Sequence, residues 1–150
     1  MLLKSLATEA DSLILDLEDA VVPDHKVAAR TTVRNTLRDL DFRGAEKIVR
    51  INPLETGLAL DDLTVTMAGQ PDGYMVPKLR SEDDVRFIDR ALSNLEAISG
   101  REPGSVRLLL LVYQCIAARQ DSGFNLVCQF TDCLIKFHIV FPYVCLVHLK

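Results

Sequence analysis

Three acids close one short apolar run. "SLILDLED" places Asp16, Glu18 and Asp19 at the end of residues 12–17. The next two apolar runs end in cations: Arg50, followed by Asn52, and Lys78, preceded by Pro77. Carboxylates beside a guanidinium are the groups that hold a hard cation and an anionic substrate together. Each residue also has a plainer reading. Asp16 and Asp19 suit the capping of the turn that follows. Arg50 could pair with Glu18 and bind no ligand, and Lys78 could be a surface lysine. Downstream, Lys26, Arg30, Arg34 and Arg38 recur at four-residue spacing, and this basic stripe reads first as a solvated helix face.

Two other constellations carry less. Read as a phosphatase strand, "LDLED" should show Asp-x-Asp, and Glu18 stands at the second position. Near the far end, Cys128, Cys133, His138, Cys145 and His148 lack the spacing of a zinc finger.

The elements that must position the first group are legible as an alternation. Apolar runs at Ser12 to Leu17, Lys47 to Ile51, Gly73 to Val76 and Val106 to Val112 are too short for helices. They lack clean two-residue alternation, which suits strands buried on both faces of a parallel sheet. Between them, helix patterns run from His25 to Leu40, with Asp24 as cap and Val27, Val33, Leu37 and Leu40 inward. A weaker one covers Leu58 to Ala68. A third begins after Ser81, with Glu82, Asp83 and Asp84 at the positive end of its dipole and Val85, Ile88, Leu92 and Leu95 inward. Strand starts recur at roughly 26 to 35 residues, the size of strand–helix units, so the expected class is α/β. In such folds chemistry gathers beyond the carboxyl ends of the strands, which places Glu18, Asp19, Arg50 and Lys78 on one rim.

Composition divides the 150 residues unevenly. Residues 1–112 hold 14 of the 17 Lys and Arg and 19 of the 21 Asp and Glu, whereas all four cysteines follow residue 112. The expected organisation is therefore a domain over 1–112 and an apolar, cysteine-containing tail over 113–150. Asp132, Lys136 and His138 make that tail a poor membrane span, which needs about 20 mostly apolar residues. A net charge of −4 gives no electrostatic case for nucleic acid. "LLKSLATEAD" lacks the apolar core of a secretory signal. Cysteine is absent before Cys115, which points to a reducing compartment, the cytoplasm or an organellar matrix, with the tail thiols free.

"LILDLEDAVVPDHKVAAR", "IVRINPLETGLALDDL" and "GYMVPKLRSEDDV" together resemble the successive motifs of the HpcH/HpaI aldolase family, in its citrate lyase β-subunit-like branch. The likeness covers roughly residues 3 to 112. It implies a (β/α)8 barrel, of which this chain would hold about four of eight strand–helix units, and an oligomer. It also implies a carbon–carbon lyase acting on a short acyl-CoA of the citryl-CoA or malyl-CoA class, with Mg2+ holding a keto acid such as oxaloacetate or glyoxylate. By motif, Arg50 would bind the keto acid's carboxylate, with Lys78 beside it as a second substrate contact. Glu18 and Asp19 would lie beside the metal and its waters, and Lys26 and Arg30 would have a supporting part.

The chain departs from the pattern at both ends. Family members usually begin with a further strand of the "RSLLFVPG" kind. Where an acidic "ET" pair normally follows the fourth run and supplies a metal-binding glutamate, "VRLLLLVYQC" places Gln114. A neutral oxygen there weakens a magnesium site. Asp121 and Asp132 fall within reach of the second ligand's position but lack its glycine-rich surroundings. The alternative expectation is a truncated, catalytically inactive remnant that associates with full-length subunits, its tail read from unrelated coding sequence.

Overall fold

Leu13, Leu15 and Leu17 alternate with Ile14 and Asp16 along the first run, and all five are buried, so this strand is covered on both faces. The computed structural model describes residues 10–111 and the backbone of Val144–Val147. Its elements are β1 (Ser12–Asp16), α1 (Lys26–Asp39), β2 (Glu46–Arg50), α2 (Ala59–Met67), β3 (Gly73–Val76), α3 (Glu82–Ile98), β4 (Arg107–Leu110) and β5 (Val144–Val147). The sheet order is β4-β3-β2-β1-β5, and every pairing is parallel.

This is an α/β fold, one arc of a (β/α)8 barrel. The helices pack on one face of the sheet. There Leu13, Leu15, Val49, Tyr74, Val76 and Leu108 meet Val33 and Leu37 of α1, Leu63 and Met67 of α2, and Val85, Ile88 and Leu92 of α3. The opposite face carries a smaller cluster, Ile14, Ile48 and Met75, with Leu109 and Leu111 against it. Register stacks this second face in layers. Ser12 lies opposite Glu46 at the amino end; Ile14, Ile48, Gly73 and Arg107 align in the middle; Asp16, Arg50, Met75 and Leu109 align at the carboxyl end.

Beyond Val112 the described structure is the backbone of Val144–Val147. Val144–Val147 pairs in parallel with β1, Ser12 opposite Val144 and Leu15 opposite Val147, so β1 has a strand on each side. The sheet therefore recruits backbone from the tail to the edge that would otherwise present unpaired N–H and C=O groups. Among the described residues no helix is long and apolar enough to cross a membrane.

Two helix details differ from expectation. Asp24 does not cap α1, because a 3-10 turn over Pro23–His25 precedes the helix and His25 takes the cap position without a side-chain bond. The inward stripe of α1 runs through Arg30, Val33 and Leu37, so Val27 turns outward and is 71% exposed. Ser81 does cap α3, its hydroxyl accepting the Asp84 N–H at 3.1 Å. At the other end of α3, Glu96 is buried and its carboxylate accepts the N–H groups of Gly104 (2.7 Å) and Val106 (2.8 Å), holding the turn that enters β4.

Gly73 begins β3 between Ile48 and Arg107 of the neighbouring strands. A methyl group there would meet the Arg107 carbonyl oxygen at 2.8 Å and Ile48 Cδ1 at 3.1 Å. The obstacle is backbone, which cannot rotate away. Gly73→Ala is expected to destabilise the chain by about 1–3 kcal/mol, read as a lowered urea midpoint.

Candidate active site

Asp16 is fully enclosed at the carboxyl end of β1, directly opposite Arg50 on β2. Arg50 donates to both of its oxygens, Nε to Oδ1 at 2.8 Å and Nη2 to Oδ2 at 2.5 Å. The N–H groups of Glu18 (2.8 Å) and Ala20 (3.2 Å) complete the set, so Asp16 also closes the turn after β1. Burial alone would push this carboxyl up. The Arg50 hydrogen bonds and charge, with the two backbone N–H groups, outweigh it and hold Asp16 below the usual carboxylate range. The same Asp16 bonds hold Arg50 above its ordinary value against burial, with Glu18 and Asp19 adding to the effect.

The remaining rim groups converge on this pair. Arg50 Nη1 lies 3.3 Å from Glu18 Oε2, and Nη2 lies 3.4 Å from Asp19 Oδ2. Lys78 Nζ stands 3.0 Å from Glu18 Oε1, and that contact holds its ammonium above the ordinary lysine value. Lys78 reaches it from a left-handed backbone conformation (φ 56°), which is disfavoured outside glycine and clusters at functional sites. The Lys78 contact is an ion pair without hydrogen-bond geometry. Glu18 Oε1 is thus a buried acceptor with no hydrogen bond among the described residues. Asp19 differs, with 69% of its side chain exposed.

Lys26 and Arg30 lie beneath the rim and correct the expectation of a solvated basic stripe. Lys26 Nζ donates to the carbonyls of Leu17 (2.6 Å) and Glu18 (2.5 Å). Burial pulls its pKa down, opposed by the charges of Asp62, Asp16, Glu18 and Asp19. Arg30 is buried, with Nε donating to Asp62 Oδ1 at 2.6 Å. Asp62 Oδ2 in turn accepts the backbone N–H (2.8 Å) and side-chain amide (2.7 Å) of Asn52. Only toward the end of α1 does the stripe meet solvent, where exposed Arg38 pairs with Asp39. Asp62 was not singled out from sequence. Its signal was available, since it lies among Ala59, Leu63, Thr66 and Met67 on the buried side of α2.

Glu18, Asp19, Arg50 and Lys78 therefore do share one rim. Gln114, Asp121, Asp132, Cys128, Cys133, His138 and His148 lie outside the described residues, as does the side chain of Cys145. Among the described residues no group of three His, Cys, Asp or Glu could hold a metal ion. Both Asp16 oxygens are taken. Glu18 and the exposed Asp19 are the remaining carboxylates of this rim.

Residues 1–114 match the family described as HpcH/HpaI aldolase/citrate lyase. The chain belongs to that family. It is 36% identical over 112 residues to citrate lyase subunit beta of Haemophilus influenzae, covering 75% of this chain and 38% of that one. It is 37% identical over 85 residues to (3S)-malyl-CoA thioesterase of Cereibacter sphaeroides, covering 57% and 30%. It is 33% identical over 96 residues to human mitochondrial citramalyl-CoA lyase, covering 62% and 28%. The chain thus spans well under half the length of these relatives, which are enzymes of CoA esters or citrate. Among solved structures, malate synthase of Haloferax volcanii in its lead(II) complex superposes with a TM-score of 0.64 at 16% identity, over 81% of this chain and 39% of that one. That likeness concerns the fold.

Asp16→Asn is expected to cost about 3 kcal/mol or more, because it leaves a buried guanidinium short of its charge partner. Its pH signature follows from the depressed pKa. The Asp16 contribution is fully present above the unfolded value of about 3.9 and is lost as pH falls through the lower folded value. Urea unfolding at pH 6 and at pH 3 should show a smaller loss on acidification in the variant than in the parent.

Proposed function

We propose that this chain carries the keto-acid and metal-water half of a carbon–carbon lyase site of the citrate lyase beta-like type, acting on a short acyl-CoA of the citryl-CoA or malyl-CoA class. The observation that supports this best is the buried Glu18 Oε1, which lacks a hydrogen bond although Arg50 and Lys78 flank its carboxylate. An acceptor left in that state has a lone pair available for a bound water or ligand donor.

The charges favour a metal and an acid arriving together. Asp16, Glu18 and Asp19 are balanced by Arg50, Lys78 and, beneath them, Lys26. That balance leaves no surplus to draw in a free dianion, whereas a divalent cation carrying a dianionic keto acid such as oxaloacetate preserves it. Mg2+, when bound, would polarise the keto-acid oxygens and lower the cost of the enolate charge. Glu18 and Asp19 would orient water around it. Arg50, anchored by Asp16 along one edge, would present its other edge to the acid's carboxylate in place of Asp19. Lys78, half-exposed at the rim, would add a second positive contact where charge develops.

The test is Mg2+-dependent release of oxaloacetate from citryl-CoA, or of glyoxylate from malyl-CoA, by the full chain. Arg50→Ala should reduce kcat/KM by 100-fold or more, and Lys78→Met should act mainly on KM. In the same preparation, Mg2+ with oxaloacetate should raise the Tm of the parent and not of Arg50→Ala. Activity that survives Arg50→Ala at the parent rate overturns the role given to Arg50. Gln114, standing where the family has a metal-binding glutamate, favours a second reading, an inactive remnant that associates with full-length subunits. That reading expects no turnover from the parent and none from Gln114→Glu.

A further inference from the structure

The first two turns of α1 tie down two loops. In an extended strand successive carbonyls point to opposite sides, yet the carbonyls of Leu17 and Glu18 converge on one ammonium, that of Lys26. The chain has therefore turned sharply, and this turn swings the Glu18 side chain back over Arg50. Asp16 holds the turn through the N–H groups of Glu18 and Ala20, and Lys26 holds it through its carbonyls. One helical turn further along α1, Arg30 neutralises the fully buried Asp62, whose other oxygen grips Asn52 by two hydrogen bonds. Asn52 lies two residues beyond Arg50.

We propose that Lys26 and Arg30 are positioning residues which, from successive turns of one helix, set the offset between the β1 end that carries Glu18 and the β2 end that carries Arg50. A helix is a stiff rod with about 5.4 Å between turns. The loop after β1 is bonded to α1 directly, and the loop after β2 is bonded to its next turn through the buried Asp62 of α2, so the two cannot slide independently and the offset between Glu18 and Arg50 is held by α1. The ligand-binding part of the test rests on the function proposed above, and the geometric part does not.

The full chain is compared with Lys26→Met, Arg30→Lys and, as a control, Val33→Ala, which removes core volume from the same helix without touching either loop. The geometric readout is the nuclear Overhauser contact between the Arg50 guanidinium protons and the Glu18 γ-methylene, brought close by the 3.3 Å ion pair. Lys26→Met and Arg30→Lys should each lose or strongly weaken it, while Val33→Ala lowers Tm and keeps it. Oxaloacetate with Mg2+ should bind at least tenfold more weakly to Lys26→Met and Arg30→Lys and within twofold of the parent to Val33→Ala. Should the parent bind no oxaloacetate, the function proposed above fails and the Overhauser contact alone decides the positioning role. Retention of that contact in both Lys26→Met and Arg30→Lys, or its equal loss in Val33→Ala, overturns the proposal. If Lys26→Met does not fold, Arg30→Lys decides, and unfolding of both at 10 °C overturns it in favour of general structural support.

Discussion

Asp16 and Arg50 face each other across a parallel ladder, with no solvent on the aspartate. A carboxylate in that place costs several kcal/mol unless its charge and its hydrogen-bonding capacity are both met. Arg50 meets both oxygens with parallel N–H groups, and two backbone N–H groups from the following turn take what remains. This pair orients everything above it. Arg50 is held along one edge, so its other edge is turned toward Glu18 and Asp19. The turn after β1 is closed by the same carboxylate that anchors the guanidinium.

The sheet face away from the helices shows how narrow the polar zone is. One layer below the pair sit Ile14 and Ile48, both buried, with Met75 against them. At the amino end Ser12 Oγ donates to Glu46, which also pairs with Arg107, a smaller ionic group far from the rim. A step of two residues along a strand thus separates an apolar layer from the charged site. A one-residue slip in register would exchange the two faces and bury Asp16 against the helices. Register is accordingly under the control of burial as much as of hydrogen bonding. Gly73 adds a steric constraint by admitting only a bare backbone beside Arg107.

Much of this was legible beforehand. The four strand positions and the three helices follow from apolar run length and spacing, and the Ser81 cap follows from its acidic first turn. Glu18, Asp19, Arg50 and Lys78 could be placed on one rim because parallel strands bring their carboxyl ends together. Less was visible where a polar group is buried for the sake of another polar group. Arg30 reads as one of four solvated cations until α2 presents Asp62 to it. Glu96 reads as a surface acid until the turn before β4 offers two N–H groups. Neither partner is near in sequence, and spacing cannot report contacts 32 or 10 residues away.

By itself, the sequence determined the alternation of elements, the family, and the types of charge at each strand end, because these depend on local pattern and contiguous motif. Tertiary structure alone decided which of those charges are spent on one another. Asp16 is committed wholly to Arg50 and its own turn, Lys26 to two carbonyls, and Arg30 to Asp62, while Glu18 keeps one buried oxygen without a hydrogen bond. It also decided that backbone from the tail, at Val144–Val147, lies beside β1. The physical reason is the same in each case. Desolvation forces every buried polar group to find a partner, and which partner is within reach is a property of the packed chain.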